Sequence, residues 1–206
     1  MTLVKICGIN SAAAFDAAVE AGADFVGFNF FPRSPRYVAP TEAAAIAARH
    51  AGGPARIALF VYPTDDDVAA VLGTMSLDAL QLYAPAERAA AIREKFNVLV
   101  WQPIGVATSA DLPRTSAADR LLIETKAPAD ATRPGGNAIT FDWSLLNGWS
   151  APAPWLLAGG LTPPNVAEAI RATAAPGVDV SSGVERAPGV KDPSLIRVFV
   201  AAAKAA

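Results

Sequence analysis

Cysteine and histidine are almost missing from this chain: its 206 residues hold one of each, Cys7 and His50. A single cysteine excludes an internal disulfide framework and fits a reducing compartment. The pair is too small a set of N and S ligands for zinc, so no metal is expected. Charge is sparse as well. Lys and Arg number 17 against 19 Asp and Glu, a net charge of −2, and the pI is 5.4. That balance gives no electrostatic case for nucleic acid or an anionic membrane surface. No apolar run approaches the roughly 18 residues of a membrane span. The apolar run before Cys7 is too short for a signal peptide and contains Lys5. Neither a P-loop nor a G-x-G-x-x-G is present; Cys7-Gly8-Ile9-Asn10 fits neither pattern. The expectation is a cytoplasmic protein without metal, cofactor, nucleic-acid partner or membrane partner.

What the chain does have is apolar mass. At 52% hydrophobic residues it can bury the core of one domain covering residues 1–206. Short apolar runs read as strands at 3–7, 24–30, 56–61, 78–83, 98–101, 120–124, 155–158 and 178–180. Helical patterns alternate with them. Ser11 caps one over 12–21 that Gly22 ends, and Thr41 caps another reaching His50. Thr64 with Asp67 opens a third as a capping-box-like start, and a fourth spans 86–95. The fifth, between Ser109 and Ala117, is weak, and the last two begin near Pro163 and Asp192. Loop 32–37 is too proline-rich for regular structure, and 125–140 is the longest irregular segment. Eight strand–helix alternations predict a parallel (β/α)8 barrel, the TIM barrel; a doubly wound sheet normally has fewer strands and a Gly-rich first turn.

The last two strands open into small residues. Trp155-Leu-Leu-Ala158 runs into Gly159-Gly160, and Val178-Asp-Val180 into Ser181-Ser182-Gly183. Backbone N–H groups there can face an anion unobstructed, and barrels grip phosphate with these two loops. The ligand expected is therefore a small phosphorylated molecule, and the chemistry belongs at the ends of the earlier strands. Those ends supply Cys7, Arg36, Gln81 with Tyr83, and Glu124, while Asp179 lies on strand eight. A thiol and a carboxyl without a metal or nucleotide motif suggest proton transfer, one as base and one as acid. Blander readings stand beside these. A lone cysteine is commonly a buried small hydrophobe, Arg36 a solvated loop residue, Glu124 a partner for Lys126, and Gly135-Gly136 a plain turn. Asp142-Trp143 reads equally well as the start of a short helix, and His50 receives no role.

The motifs Lys5-Ile-Cys-Gly8, Ser34-Pro-Arg-Tyr-Val38, Leu80-Gln-Leu82, Gly135-Gly136 with Phe141-Asp-Trp143, Ala158-Gly-Gly-Leu161 with Asn165-Val166, and Asp179 to Glu185 with Gly189-Val-Lys-Asp192 run the length of the chain in order. Together they closely resemble the phosphoribosylanthranilate isomerases of tryptophan biosynthesis. The resemblance implies a cofactor-free Amadori rearrangement of N-(5-phosphoribosyl)anthranilate on a (β/α)8 barrel, by a monomer or homodimer. It places Cys7 on the general base and Arg36 on the arginine that meets the anthranilate carboxylate. The phosphate site falls on the backbone around Gly159-Gly160 and Ser182-Gly183. Three positions depart from the family pattern. Tyr83-Ala84 follows Leu-Gln-Leu where His-Gly is usual, Asn137-Ala138 follows Gly135-Gly136 where Thr-Gly is usual, and Glu124 stands where the acid is normally aspartate. Those departures keep two alternatives open: a degenerate barrel that binds a phosphorylated metabolite without turnover, and another phosphosugar barrel enzyme.

Overall fold

The apolar runs become strands that close on themselves. The computed structural model describes residues 1–127 and 140–206. Its strands β1 (Leu3–Cys7), β2 (Phe25–Asn29), β3 (Ala55–Val61), β4 (Ala79–Tyr83), β5 (Val100–Val106), β6 (Arg120–Thr125), β7 (Trp155–Leu157) and β8 (Gly177–Val180) form a closed barrel in chain order. All of them pair in parallel, and β8 returns to β1 with Lys5 beside Asp179. The expected (β/α)8 barrel is what forms. A small antiparallel pair, β9 (Glu185–Ala187) and β10 (Val190–Lys191), follows β8.

Helices α1 (Ala12–Glu20), α2 (Pro40–Ala47), α3 (Asp65–Leu72), α4 (Ala86–Phe96), α5 (Val166–Thr173) and α6 (Pro193–Lys204) surround the strands. Ser11 caps α1 by accepting from the Ala14 N–H. Thr64 and Asp67 bond reciprocally at the start of α3, as their spacing predicts. Thr41 is not a cap. The N-cap position of α2 is Ala39, with Pro40 inside the first turn, where its fixed φ and missing N–H cost nothing. The weak fifth helix is a single 3-10 turn, Ser109–Asp111. Asp111 binds the N–H groups of Ala107 and Thr108 there, and Pro113 prevents continuation.

Strand five runs to Val106, past the expected end at Trp101. Pro103 sits inside it because β5 pairs with β4 only at Val100 and Trp101. Beyond that point one edge of β5 needs no ladder donor. The last helices begin at Val166 and Pro193; α5 starts a turn later than Pro163 suggested.

Alternation divides each strand between two cores. Outward residues such as Ile6, Phe28 and Leu82 pack under the helices with Phe15, Ile196 and Phe199, all fully buried. Inward residues fill the barrel in layers. Its lower interior is an apolar plug of Ile57, Ala79, Trp101, Leu122 and Leu156, with Leu3 and Phe25 against it. Phe25 and Trp101 meet edge to face at 4.9 Å, and the Arg120 guanidinium lies 5.0 Å from the Trp101 ring centre. This plug makes the barrel a solid support on which the upper layer is held.

Candidate active site

One step further along each strand the interior turns polar. Lys5 and Asp179, neighbours across the β1–β8 seam, form an ion pair of 2.7 Å with Lys5 completely buried. Above them a cavity, open at the C-terminal strand ends, is lined by Cys7, Asn29, Arg36, Gln81, Tyr83, Glu124, Asp179 and the loops after β7 and β8. Cys7, Arg36, Gln81, Tyr83, Glu124, Gly159, Gly160, Asp179 and Ser182, all singled out from sequence, meet there. Gly183 does not line the cavity. It lies so close to the Leu161 carbonyl that a Cβ would come within 1.8 Å of it. Its bare backbone lets the β7 and β8 loops touch, which holds from behind the cradle that the sequence predicts for an anion. Asn165 ties the same cradle together, accepting from Thr162 N–H at 2.7 Å and donating to the Gly160 carbonyl at 3.1 Å. Gly135, Gly136, Asn137 and Ala138 lie outside the described residues.

Cys7 and Glu124 are both buried, at 5% and 7% exposure, and burial drives their chemistry in the same direction. It pushes the Cys7 thiol up, against the opposing charge of Lys5, whose Nζ lies on the same side of Gly27 as the sulfur. It lifts the Glu124 carboxyl to about 8, the Tyr83 hydrogen bond working the other way. Glu124 is thus a protonated acid at neutral pH, as an uncharged carboxyl in an apolar pocket should be. Tyr83 Oη donates to its Oε2 at 3.2 Å. Burial disfavours charge on Lys5 too, but Asp179 and Cys7 outweigh it, and the ammonium is held above its ordinary pKa. The side chains of Lys5 and Cys7 therefore converge, as their shared strand face allows.

Arg36 is no solvated loop residue: it is 4% exposed. Gly8, at φ +78°, makes room for it, since a Cβ there would sit 2.7 Å from Arg36 Cδ. The proline-rich loop before it is fastened by side chains. Asn29 accepts from Phe31 N–H and donates to Ser34 Oγ, which in turn accepts from Arg36 N–H. Gln81 is buried to 1% exposure, and its Oε1 has no hydrogen-bond donor among the described residues. A buried acceptor facing a cavity without a donor is costly unless a ligand supplies one.

Glu124 is thereby a cavity residue rather than a partner of Lys126, which pairs with Asp111 at 3.1 Å. Asp142 caps the turn Trp143–Leu146 through Ser144 N–H, and His50 pairs with Asp16 at 3.0 Å. Sequence reasoning gave no role to Asn29, Glu185 or Lys191. The last two are charged residues buried after β8, and their burial is the signal that a linear pattern does not carry.

Comparison with known proteins agrees with this geometry. A family model described as N-(5'phosphoribosyl)anthranilate (PRA) isomerase matches residues 4–202. The N-(5'-phosphoribosyl)anthranilate isomerase of Acidiphilium cryptum (strain JF-5) is 56% identical over 207 residues, covering 100% of both chains. The crystal structure of the phosphoribosyl anthranilate isomerase from Thermotoga maritima superposes with a TM-score of 0.85 at 35% identity, covering 100% of each chain. A phosphoribosyl anthranilate isomerase in complex with reduced 1-(o-carboxyphenylamino)-1-deoxyribulose 5-phosphate gives 0.84 at 34% identity, again over 100% of each chain.

Proposed function

Because this chain belongs to the N-(5'-phosphoribosyl)anthranilate isomerase family, we propose that Cys7 and Glu124 are the base and acid of its reaction. The protein is an aldose–ketose isomerase of tryptophan biosynthesis. It converts N-(5-phosphoribosyl)anthranilate into 1-(2-carboxyphenylamino)-1-deoxyribulose 5-phosphate.

The observation that carries the assignment is a thiol and a protonated carboxyl facing one cavity between an anion cradle and a buried arginine. Glu124 gives its proton to the furanose oxygen. The ring C–O bond breaks, and the anilino nitrogen's lone pair forms the Schiff base at C1. Cys7, as thiolate, removes the C2 proton, and the electrons move to give an enolamine. Loss of the enol O–H proton and gain of one at C1 complete the ketone, so atoms balance without a co-reactant. Lys5 favours the thiolate by its charge.

The same reading sets the phosphate against Gly159, Gly160 and Ser182 and the anthranilate carboxylate against Arg36. Gln81 Oε1 receives a ribose hydroxyl, the donor it lacks among the described residues. Glutamate in place of the usual aspartate is accommodated by Tyr83, whose hydroxyl meets its carboxyl. The reading also makes the protein cytoplasmic, a monomer or homodimer with no nucleic-acid partner, in keeping with its weakly acidic balance. No helix among the described residues is long and apolar enough to cross a membrane.

Turnover of freshly prepared phosphoribosylanthranilate, followed by loss of anthranilate fluorescence, is the test. The parent should turn over and Cys7→Ala should not. Equal rates would remove Cys7 from the mechanism.

A further inference from the structure

We propose that Glu185 is the positioning residue that presents Arg36 to the substrate carboxylate, delivered to it by the hairpin β9–β10. The proposal rests on the carboxylate-binding role given to Arg36 above and extends it to a residue of another loop.

Arg36 and Glu185 are 149 positions apart, yet they form a two-pronged pair. Nε donates to Oε1 at 2.7 Å and Nη2 to Oε2 at 2.9 Å. Both side chains are about 95% buried. A guanidinium is a rigid planar fork, so fixing one edge fixes the direction of the rest. The side-on edge is taken by Glu185; Nη1 has no hydrogen bond to any described residue, and Arg36 lines the cavity. The substrate carboxylate therefore meets the end-on edge, Nη1 with the second hydrogen of Nη2.

Glu185 is held just as firmly. Its Oε1 accepts from Lys191 Nζ at 2.7 Å and its Oε2 from Gly189 N–H at 3.2 Å. Lys191, fully buried, also donates to the carbonyl and hydroxyl oxygens of Ser181. Two cations thus share one carboxylate, and at neutral pH the group keeps one net positive charge at the wall of the cavity. It fades as Lys191, whose pKa burial pushes down to about 8, loses its proton. That charge attracts an anion without leaving either cation unpaired in a dry site. A purely structural clamp would have no need of the surplus charge or of a guanidinium edge left for a ligand.

Glu185→Gln tests the idea. Glutamine can keep an acceptor toward Arg36 Nε and Lys191 but turns a donor toward Arg36 Nη2 and Gly189 N–H. The expected result is a KM for phosphoribosylanthranilate raised about tenfold with kcat within about twofold, as for a lost charge-assisted hydrogen bond in binding. Competitive inhibition by inorganic phosphate should be unchanged, and in an Arg36→Ala background the substitution should add nothing to KM. Glu185→Asp keeps the buried charge balance but shortens the reach. It should shift KM the same way, and carries the test if the glutamine variant does not fold.

An equal loss in kcat and in phosphate affinity would make Glu185 a general structural residue and overturn the proposal. So would additive effects of Glu185→Gln and Arg36→Ala, or an unchanged KM in a folded Glu185 variant. If Arg36→Ala itself leaves KM unchanged, the carboxylate role of Arg36 falls, and this proposal with it.

Discussion

The two ends of the barrel interior are built from the same strands and do opposite things. Below, Leu3, Phe25, Ile57, Trp101, Leu122 and Leu156 give up their surface to each other. Above, two or four residues further along, the strands present Lys5, Cys7, Gln81, Glu124 and Asp179, all buried. Each buried apolar side chain stabilises the fold by about 1.5–3 kcal/mol. Each buried ionisable group costs stability unless paired, and a group left to titrate at the cavity wall is one poised for chemistry. Parallel strands make the division. Alternate residues face inward along every strand, so only the height along the strand separates support from site.

The comparison breaks most sharply at Cys7. Cys7→Ala should abolish isomerisation, a fall of at least about a thousandfold of the kind a lost acid–base group brings, with circular dichroism and melting temperature unchanged. Residual activity above a few per cent would mean another base.

Glu124→Gln should lose about 10²–10⁴-fold in kcat, while Glu124→Asp keeps part of the activity. A parent-like glutamine variant would shift attention to Asp179. The same substitution should raise stability at alkaline pH. The folded pKa of Glu124, about 8, lies above its ordinary 4.5. The folded chain therefore binds the extra proton between those values, and stability present below about 4.5 is lost as pH rises through about 8. Urea midpoints across that range should fall for the parent, and Glu124→Gln should remove the part of the slope that Glu124 contributes.

The pair also sets the pH profile of kcat/KM. The active form needs Cys7 ionised and Glu124 protonated, yet burial places the thiol above its ordinary range and the carboxyl at about 8. The required protonation state is then the minor one, and the rate should peak above pH about 8, with apparent pKa values belonging to the pair. An optimum well below 8 would show that Lys5 outweighs burial at the sulfur. Arg36→Ala should act more mildly, weakening substrate binding by roughly 1.5–3 kcal/mol, read as a raised KM. The smallest change belongs below. Ile57→Val, deep in the plug, should cost about 0.5–1.5 kcal/mol of stability and leave kcat as it was, whereas a changed kcat would mean the plug tunes the site.

Local chemistry determined much of this protein from the sequence alone. Strand order, the inward alternation of Lys5 with Cys7, the thiol and carboxyl at strand ends and the small residues after β7 and β8 all follow from period, branching and turn chemistry over a few residues. The end of β5 and the fate of the fifth helix did not, because an unpaired strand edge tolerates Pro103 and a proline stops what alanines begin. The ionic contacts belong to tertiary structure altogether. Lys5 meets Asp179 across 174 residues and Arg36 meets Glu185 across 149, since barrel closure sets the last strand against the first. Only that closure removes water from these charges. With the water gone, their pKa values, their pairing and the direction in which Arg36 faces are decided by neighbours that no stretch of sequence contains.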